Sequence, residues 1–174
     1  MRRRFAGWCG VLLLVAAGGV GAHNTAVADL AAARAAELAT SADARQRYAG
    51  LMIADMGRWQ ADKNWDAVRP GSLAHPDAAA WSALWRGSDD PLILTHIARC
   101  SPVGGNSCEE SAEALARLLE LEPDNLAHWM LAIGLARAEG DDAALAAAYA
   151  GAAASTRYDP RDGDFLRLLS AGWK

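Results

Sequence analysis

Residues 143–154 are all alanine except for Leu145, Tyr149 and Gly151. Alanine has the highest helix propensity of the amino acids, and the β-branched residues that favour strands are sparse in this chain. Other segments with apolar residues at helical spacing are separated by short turns that contain Gly, Pro or Asp. The pattern therefore predicts an all-α fold, with helices at about 29–39, 43–61, 77–86, 91–100, 108–120, 126–138, 142–155 and 162–169.

Helix boundaries are marked by residues with known capping chemistry. Asp90 is expected to cap a helix whose first position is Pro91, where the missing N–H costs nothing. Gly87 is predicted to take the left-handed conformation that ends the preceding helix. Gly140 and Asp141 are predicted to form a turn. The acidic pairs Glu109-Glu110 and Asp141-Asp142 each fall at a helix start, where capping and the helix dipole are sufficient to explain them.

The N-terminus, residues 1–28, has the pattern of a signal peptide. Three arginines precede an apolar run at residues 11–17, which is too short to span a bilayer as a mature helix. Small residues allow cleavage after Ala22 or after Ala28, and the second site is favoured because a helical pattern begins at Asp29. We therefore expect a bacterial periplasmic or secreted protein with no stable membrane anchor; an uncleaved anchor is the alternative.

Removal of residues 1–28 would make the chain more acidic. This segment contains three arginines and no acidic residue, so the formal charge changes from −4 to −7. An acidic domain lacks the basic surface that nucleic acid requires, and we therefore expect no nucleic-acid partner.

Two cysteines, Cys100 and Cys108, remain after removal of Cys9 with the signal peptide. An even number of cysteines in an exported chain indicates a disulfide, here across the loop between two helices. Free thiols and a redox-active pair are the alternatives. A zinc site with His96 is a weaker one, because no fourth ligand follows at the usual spacing.

Residues 109–158 resemble the tetratricopeptide repeat (TPR) family. The sequence LELEPDN at 119–125 is similar to the junction between two such repeats, and Trp129 falls at the aromatic position of the first helix. Tyr149 and Ala152 fall at the large and small positions of the second helix, and the length agrees with a period of about 34 residues. The Leu-Gly pair of the family is out of register here, and only the repeat at 126–158 matches well.

The resemblance implies a stack of α-α hairpins, a TPR-like superhelix, over residues 91–174. The last helix would be a cap or a truncated repeat, and residues 29–90 would form a separate N-terminal helical region. A single hairpin cannot bury its own apolar face, so neighbouring hairpins must stack. We expect Trp129 and Tyr149 to fill the gaps between them.

The family generally binds peptides or assembles complexes, so the resemblance implies a protein-binding or scaffold module with a protein or peptide partner. The candidate partner groove, on the first helices of the hairpins, consists of His96, Arg99, His128, Leu131 and Arg137.

No catalytic motif supports an enzyme: Gly-x-Ser-x-Gly, His-Glu-x-x-His and a Gly-rich phosphate loop are all missing from the sequence. We therefore predict no catalytic activity, cofactor or metal. An accessory or degenerate enzyme domain of the bacterial envelope and a purely structural role are the alternatives. Tryptophans are expected mainly in the core, although Trp65, Trp81 and Trp85 could instead line a groove for a peptide or glycan.

Overall fold

The computed structural model describes residues 20–62, 77–99 and 110–172, and every regular element in these ranges is an α-helix. The predicted all-α fold is therefore confirmed. The first helix begins earlier than the predicted start at residue 29, and residues 1–19, the greater part of the predicted signal peptide, lie outside the described ranges. The helices are α1 (Val20–Ala39), α2 (Ala44–Asp62), α3 (Ala78–Arg86), α4 (Pro91–Ala98), α5 (Ser111–Leu121), α6 (Leu126–Glu139), α7 (Asp142–Ala154) and α8 (Asp162–Gly172).

Helix starts follow the predicted capping chemistry at two positions. The Asp90 carboxylate accepts a hydrogen bond from the Leu92 amide at 2.9 Å, and Pro91 is the first residue of α4. The Asp141 carboxylate accepts a hydrogen bond from the Ala144 amide at 2.9 Å at the start of α7. Each cap satisfies a backbone donor that the helix itself cannot pair.

The glycines that follow α3 and α6 differ in backbone conformation. Gly140 ends α6 with φ +71°, a left-handed conformation that glycine adopts without steric cost. The prediction of the same conformation for Gly87 is wrong, because its φ is −91°. Its amide instead donates to the Ala83 carbonyl, and the Ser88 amide donates to Trp85, so α3 ends in a tightened turn.

Adjacent helices pack as hairpins, with α1 against α2, α4 against α5 and α6 against α7. Small residues allow this close approach. A Cβ added at Gly57 of α2 would lie 2.8 Å from the Cβ of Ala31 in α1, and the Trp129 ring of α6 lies directly over Gly151 of α7. The predicted arrangement of stacked α-α hairpins is confirmed.

Trp81 and Trp85 of α3 are fully buried in the core. The alternative in which these two side chains line a ligand groove is therefore wrong, and Trp65 lies outside the described residues. The buried Trp85 indole N–H donates to Glu110 at 2.6 Å, which explains how its polar atom is satisfied.

Glu110 has a tertiary role that its position at a helix start did not indicate. Its side chain makes no capping hydrogen bond and instead accepts from Ser82, Trp85 and Arg86. Burial alone would raise the pKa of this carboxyl, but the three hydrogen bonds outweigh burial and hold the pKa below its usual value. Glu110 therefore joins α3 to α5.

The last helix folds back onto the N-terminal hairpin. α8 packs principally against α2, and Gly172 at its end lies near Ile53 and Ala49. α7 packs extensively against α6 alone among the described helices, so its outer face is open. Tyr149 of α7 is 46% exposed. The expectation that Tyr149 fills an inter-helix gap is therefore wrong, because no described helix covers that face.

Candidate functional site

A concave site lies where the end of α4, the first turns of α6 and the segment 155–161 meet. Its cavity has a volume of about 150 Å³ and mostly apolar walls. It is lined by Thr95, Arg99, Ala127, His128, Met130, Leu131, Tyr158 and Pro160.

One wall of the cavity is fixed by Asn125, the fully buried N-cap of α6. Its side-chain oxygen accepts hydrogen bonds from the amides of Ala127 at 3.2 Å and Asp159 at 3.0 Å. Its amide nitrogen donates to the Asp159 carbonyl at 3.1 Å, and the Leu126 amide donates to the Arg157 carbonyl at 2.9 Å. The segment 155–161 is thus held against the start of α6 by side-chain and backbone bonds.

His128 forms the buried base of the cavity. Its Nε2 lies 3.2 Å from the Asn125 amide nitrogen, 3.4 Å from the Thr95 hydroxyl and 3.6 Å from a Glu122 oxygen. In the tautomer with the proton on Nδ1, Nε2 accepts from the Asn125 amide; in the other tautomer, Nε2 donates to the Thr95 hydroxyl. Burial lowers the pKa of His128, and the Glu122 carboxylate opposes this only in part, so the ring is neutral at pH 7.

The geometry around His128 differs from that of a catalytic relay. In a nucleophile–base–acid arrangement, the hydroxyl and the carboxylate contact opposite nitrogens of the imidazole. Here Thr95 and Glu122 both approach Nε2, and the Nδ1 atom has no hydrogen-bond partner among the described residues. The Thr95 side chain is also buried.

Arg99 provides a positive charge at the rim of the cavity. Its guanidinium donates to the Asp162 carboxylate at 2.8 Å and to the Pro160 carbonyl. Both Arg99 and Asp162 are largely exposed, so another anion can replace Asp162 as the partner of Arg99 at little cost.

A cluster of charges anchors the segment 155–161 behind the cavity. Arg157 pairs with Asp124 at 3.0 Å and with Glu122 at 3.1 Å. Arg161 also pairs with Glu122, although its backbone has a φ of +64°, which is strained for a residue with a Cβ. The ion pairs hold Arg161 in this conformation immediately before α8.

The structure brings together three of the five residues of the candidate groove. Arg99, His128 and Leu131 line the cavity, whereas His96 and Arg137 do not. Helical geometry explains this difference. His96 lies about 100° around α4 from Thr95, and Arg137 lies about half a turn around α6 from His128. Arg137 instead contacts the Tyr149 hydroxyl and ring.

Five lining residues were not predicted from the sequence: Thr95, Ala127, Met130, Tyr158 and Pro160. Thr95 could have been found, because it is four residues before Arg99 and shares its helix face. Met130 adjoins Leu131 in α6, but Tyr158 and Pro160 lie in an irregular segment without periodicity. Their approach to α4 and α6 depends on contacts distant in sequence.

His96 belongs to an aromatic cluster on the other side of α4. Its ring stacks between Trp81 at 5.4 Å and Phe165 at 6.3 Å, measured between ring centroids, and Tyr48 meets it edge-on at 5.3 Å. Burial lowers the pKa of His96 to about 4, and burial likewise raises the pKa of Tyr48. His96 is therefore neutral at pH 7 and serves as a packing residue.

Cys100 and Cys108 lie outside the described residues, so the disulfide and the zinc alternative with His96 stay predictions. Among the described residues, no group of three or more His, Cys, Asp or Glu side chains is positioned to hold a metal ion. None of the described helices has both the length and the apolar character needed to cross a bilayer. Comparison with protein-family models, with curated proteins and with solved structures gives no match to this chain.

Proposed function

We propose that this chain is a TPR-like protein-binding module that holds a peptide segment of a partner protein at the cavity between α4, α6 and the segment 155–161. The observation that carries the proposal is a mostly apolar cavity with one wall fixed by the hydrogen bonds of the buried Asn125 side chain. A wall that is already ordered loses little conformational entropy when a ligand binds.

The size of the cavity favours a side chain as the occupant. Its volume of about 150 Å³ is below the roughly 300–1,000 Å³ of pockets that enclose a whole small molecule. One apolar side chain projecting from a larger partner fits such a space better. The partner backbone would then lie across the mouth of the cavity.

Exposed apolar side chains surround the mouth of the cavity. Met130 is 55% exposed, and Tyr158 is 59% exposed. Methionine and tyrosine are enriched at the centres of protein interfaces, where they contribute contact area. Arg99 adds a charge at the rim that suits an acidic residue beside the inserted side chain.

An accessory enzyme domain is the weaker candidate. It would require a titratable group available to a substrate, but His128 is fully buried and its Nε2 atom already contacts Asn125 and Thr95. The proposed module is exported, its partner is an envelope or secreted protein, and Cys100 and Cys108 form a disulfide. Two free thiols in the exported protein would contradict the disulfide.

Selection from a random peptide phage library on the purified exported protein tests the proposal. Enriched peptides are synthesised with a fluorophore, and their affinities are measured by fluorescence anisotropy. Met130→Glu introduces a charge at the mouth and should weaken binding by at least about tenfold. Met56→Glu is the matched control, because Met56 is an exposed methionine on α2.

A cavity-bound peptide should be insensitive to Met56→Glu and should compete with other peptides from the same selection. Equal loss of affinity in both variants, or a selection that enriches no peptide, would contradict the proposed site. Circular dichroism of both variants confirms that the helical content is retained.

A further inference from the structure

Four residues of α8 contact the surface of α2 and α4 beneath it, which we call the seat of α8, and each makes a different kind of contact. Asp162 at the first turn pairs with Arg99 at 2.8 Å, and Phe165 stacks on His96 at 6.3 Å between centroids. Leu168 packs against both apolar core clusters. At the end of the helix, a Cβ added at Gly172 would lie 3.2 Å from Ile53 Cδ1, so only a very small residue fits there without displacement.

Few residues of α8 are buried, although the helix packs against α2. Gly172 is its only fully buried residue, while Leu166 is 64% exposed. Two polar atoms beneath Phe165, the His96 Nε2 and the Tyr48 hydroxyl, are buried without a hydrogen-bond partner among the described residues. These unpaired atoms would gain water as a partner if α8 moved away, which lowers the cost of its release.

The residue before α8 is held from outside the helix. Arg161 has φ +64°, a left-handed conformation that is unusual for a residue with a Cβ. Its amide donates to Asp159 at 3.0 Å, and its side chain pairs with Glu122. Because neither partner belongs to α8, these contacts remain when α8 detaches, and Arg161 marks the point at which the helix would swing away.

We propose that α8 is a displaceable latch, and that its seat on α2 and α4 accepts an amphipathic helix from a partner protein in its place. The partner helix carries an acidic residue, an aromatic residue three positions later, leucine three positions after that and glycine four positions further on. This spacing reproduces Asp162, Phe165, Leu168 and Gly172, which face Arg99, His96, the apolar core and Ile53. The seat shares Arg99 with the rim of the cavity, but the contacts of Phe165 and Gly172 lie outside it, so this inference does not depend on the proposed peptide site.

Hydrogen exchange of the full chain measures the detachment. Amides of α8 should exchange through local opening at least about tenfold faster than those of α2 and α4. Asp162→Asn removes the charge that pairs with Arg99 at an exposed position and should accelerate exchange in α8 alone. Leu166→Ala, at an exposed position of the same helix, should leave exchange in α2 and α4 unchanged and gives the background for α8.

A fluorescent peptide of residues 160–174 serves as the probe for the empty seat. It should bind the full-length Asp162→Asn protein about two- to fivefold more tightly than the wild type, the range expected for loss of an exposed ion pair, since the resident latch competes less strongly. A peptide with Gly172→Leu should not bind, because its side chain would overlap Ile53. A peptide with Leu166→Ala should bind as the parent does, apart from a small change in helix propensity.

Three results would overturn the latch. The first is exchange of α8 only by global unfolding, and the second is equal binding of the Gly172→Leu and parent peptides. The third is a wild-type dimer, measured by light scattering, that exchanges α8 between two copies; it would assign the seat to a second copy of this chain. The Met130→Glu protein should bind the 160–174 peptide as the wild type does. This result distinguishes binding at the seat of α8 from binding at the cavity.

Discussion

Replacement of Gly151 by alanine tests the packing of α6 against α7. A Cβ at this position would lie 2.5 Å from two atoms of the Trp129 ring, far inside contact distance. The indole cannot easily move away, because its N–H donates to the Pro123 carbonyl at 2.7 Å. One of the two helices must therefore shift to accommodate a single methyl group.

The expected magnitude follows from two opposing effects. Alanine in place of glycine inside a helix stabilises by about 0.5–1 kcal/mol, whereas overpacking against a rigid ring costs about 1–3 kcal/mol. Gly151→Ala should therefore lower the free energy of unfolding by about 1 kcal/mol. Gly134→Ala is the matched control, because Gly134 is exposed in α6 and a Cβ there would contact nothing within 4 Å. It should stabilise the protein by about 0.5–1 kcal/mol.

Urea unfolding followed by circular dichroism measures both variants, with the free energy taken from the midpoint at a constant slope. In a Trp129→Leu background the penalty at Gly151 should largely disappear, because the two residues are in direct contact. Equal stabilisation by Gly151→Ala and Gly134→Ala would refute the packing of Trp129 on Gly151, and with it the observed α6–α7 hairpin.

Three further predictions concern buried polar groups. The unfolded state binds a proton at His96 near pH 6.5, but the folded state binds it only near pH 4, so the free energy of unfolding should fall by about 3 kcal/mol as the pH decreases from 6.5 to 4. His96→Phe should reduce this loss in urea titrations. Identical pH profiles of the variant and the wild type would exclude His96 as the cause. Asn125→Ala leaves the Ala127 and Asp159 amides without their acceptor and should cost about 2–3 kcal/mol in the same assay. Glu110→Ala should cost about 2 kcal/mol because it strands the buried Trp85 N–H, whereas the exposed Glu113→Ala should change stability by less than about 0.5 kcal/mol; similar losses at the two glutamates would contradict the role of Glu110.

Local chemistry made several helix ends predictable. Asp90 with Pro91 and the pair Gly140-Asp141 determine backbone conformation through contacts within a few residues, and the structure has both as expected. The alternation of such signals with alanine-rich segments was sufficient to predict an all-α fold of hairpins. The prediction for Gly87 was wrong because a tightened turn ends α3 without a left-handed residue. In this turn the amides of Gly87 and Ser88 donate to the carbonyls of Ala83 and Trp85.

Contacts between distant segments were not predictable in the same way. Glu110 occurs at a helix start, so its hydrogen bond to Trp85 competed with an adequate local explanation. Tyr149 was expected to fill a gap between neighbouring hairpins. Because α8 packs against α2 and not against α7, the Tyr149 side chain is exposed. Part of the cavity was predictable because Arg99, His128 and Leu131 lie on regular helices, whereas Tyr158 does not.

The most direct test of the return of α8 is a nuclear Overhauser measurement on Phe165. The chain has two phenylalanines, Phe5 and Phe165, so Phe165 is the single phenylalanine of a protein without residues 1–28 and its ring resonances can be assigned directly. The structure predicts cross-peaks between the Phe165 ring and the rings of His96 and Tyr48, whose centroids lie 6.3 and 6.4 Å away. Cross-peaks from Phe165 to side chains of α7, with none to α2 or α4, would show that α8 extends the stack and would contradict the account.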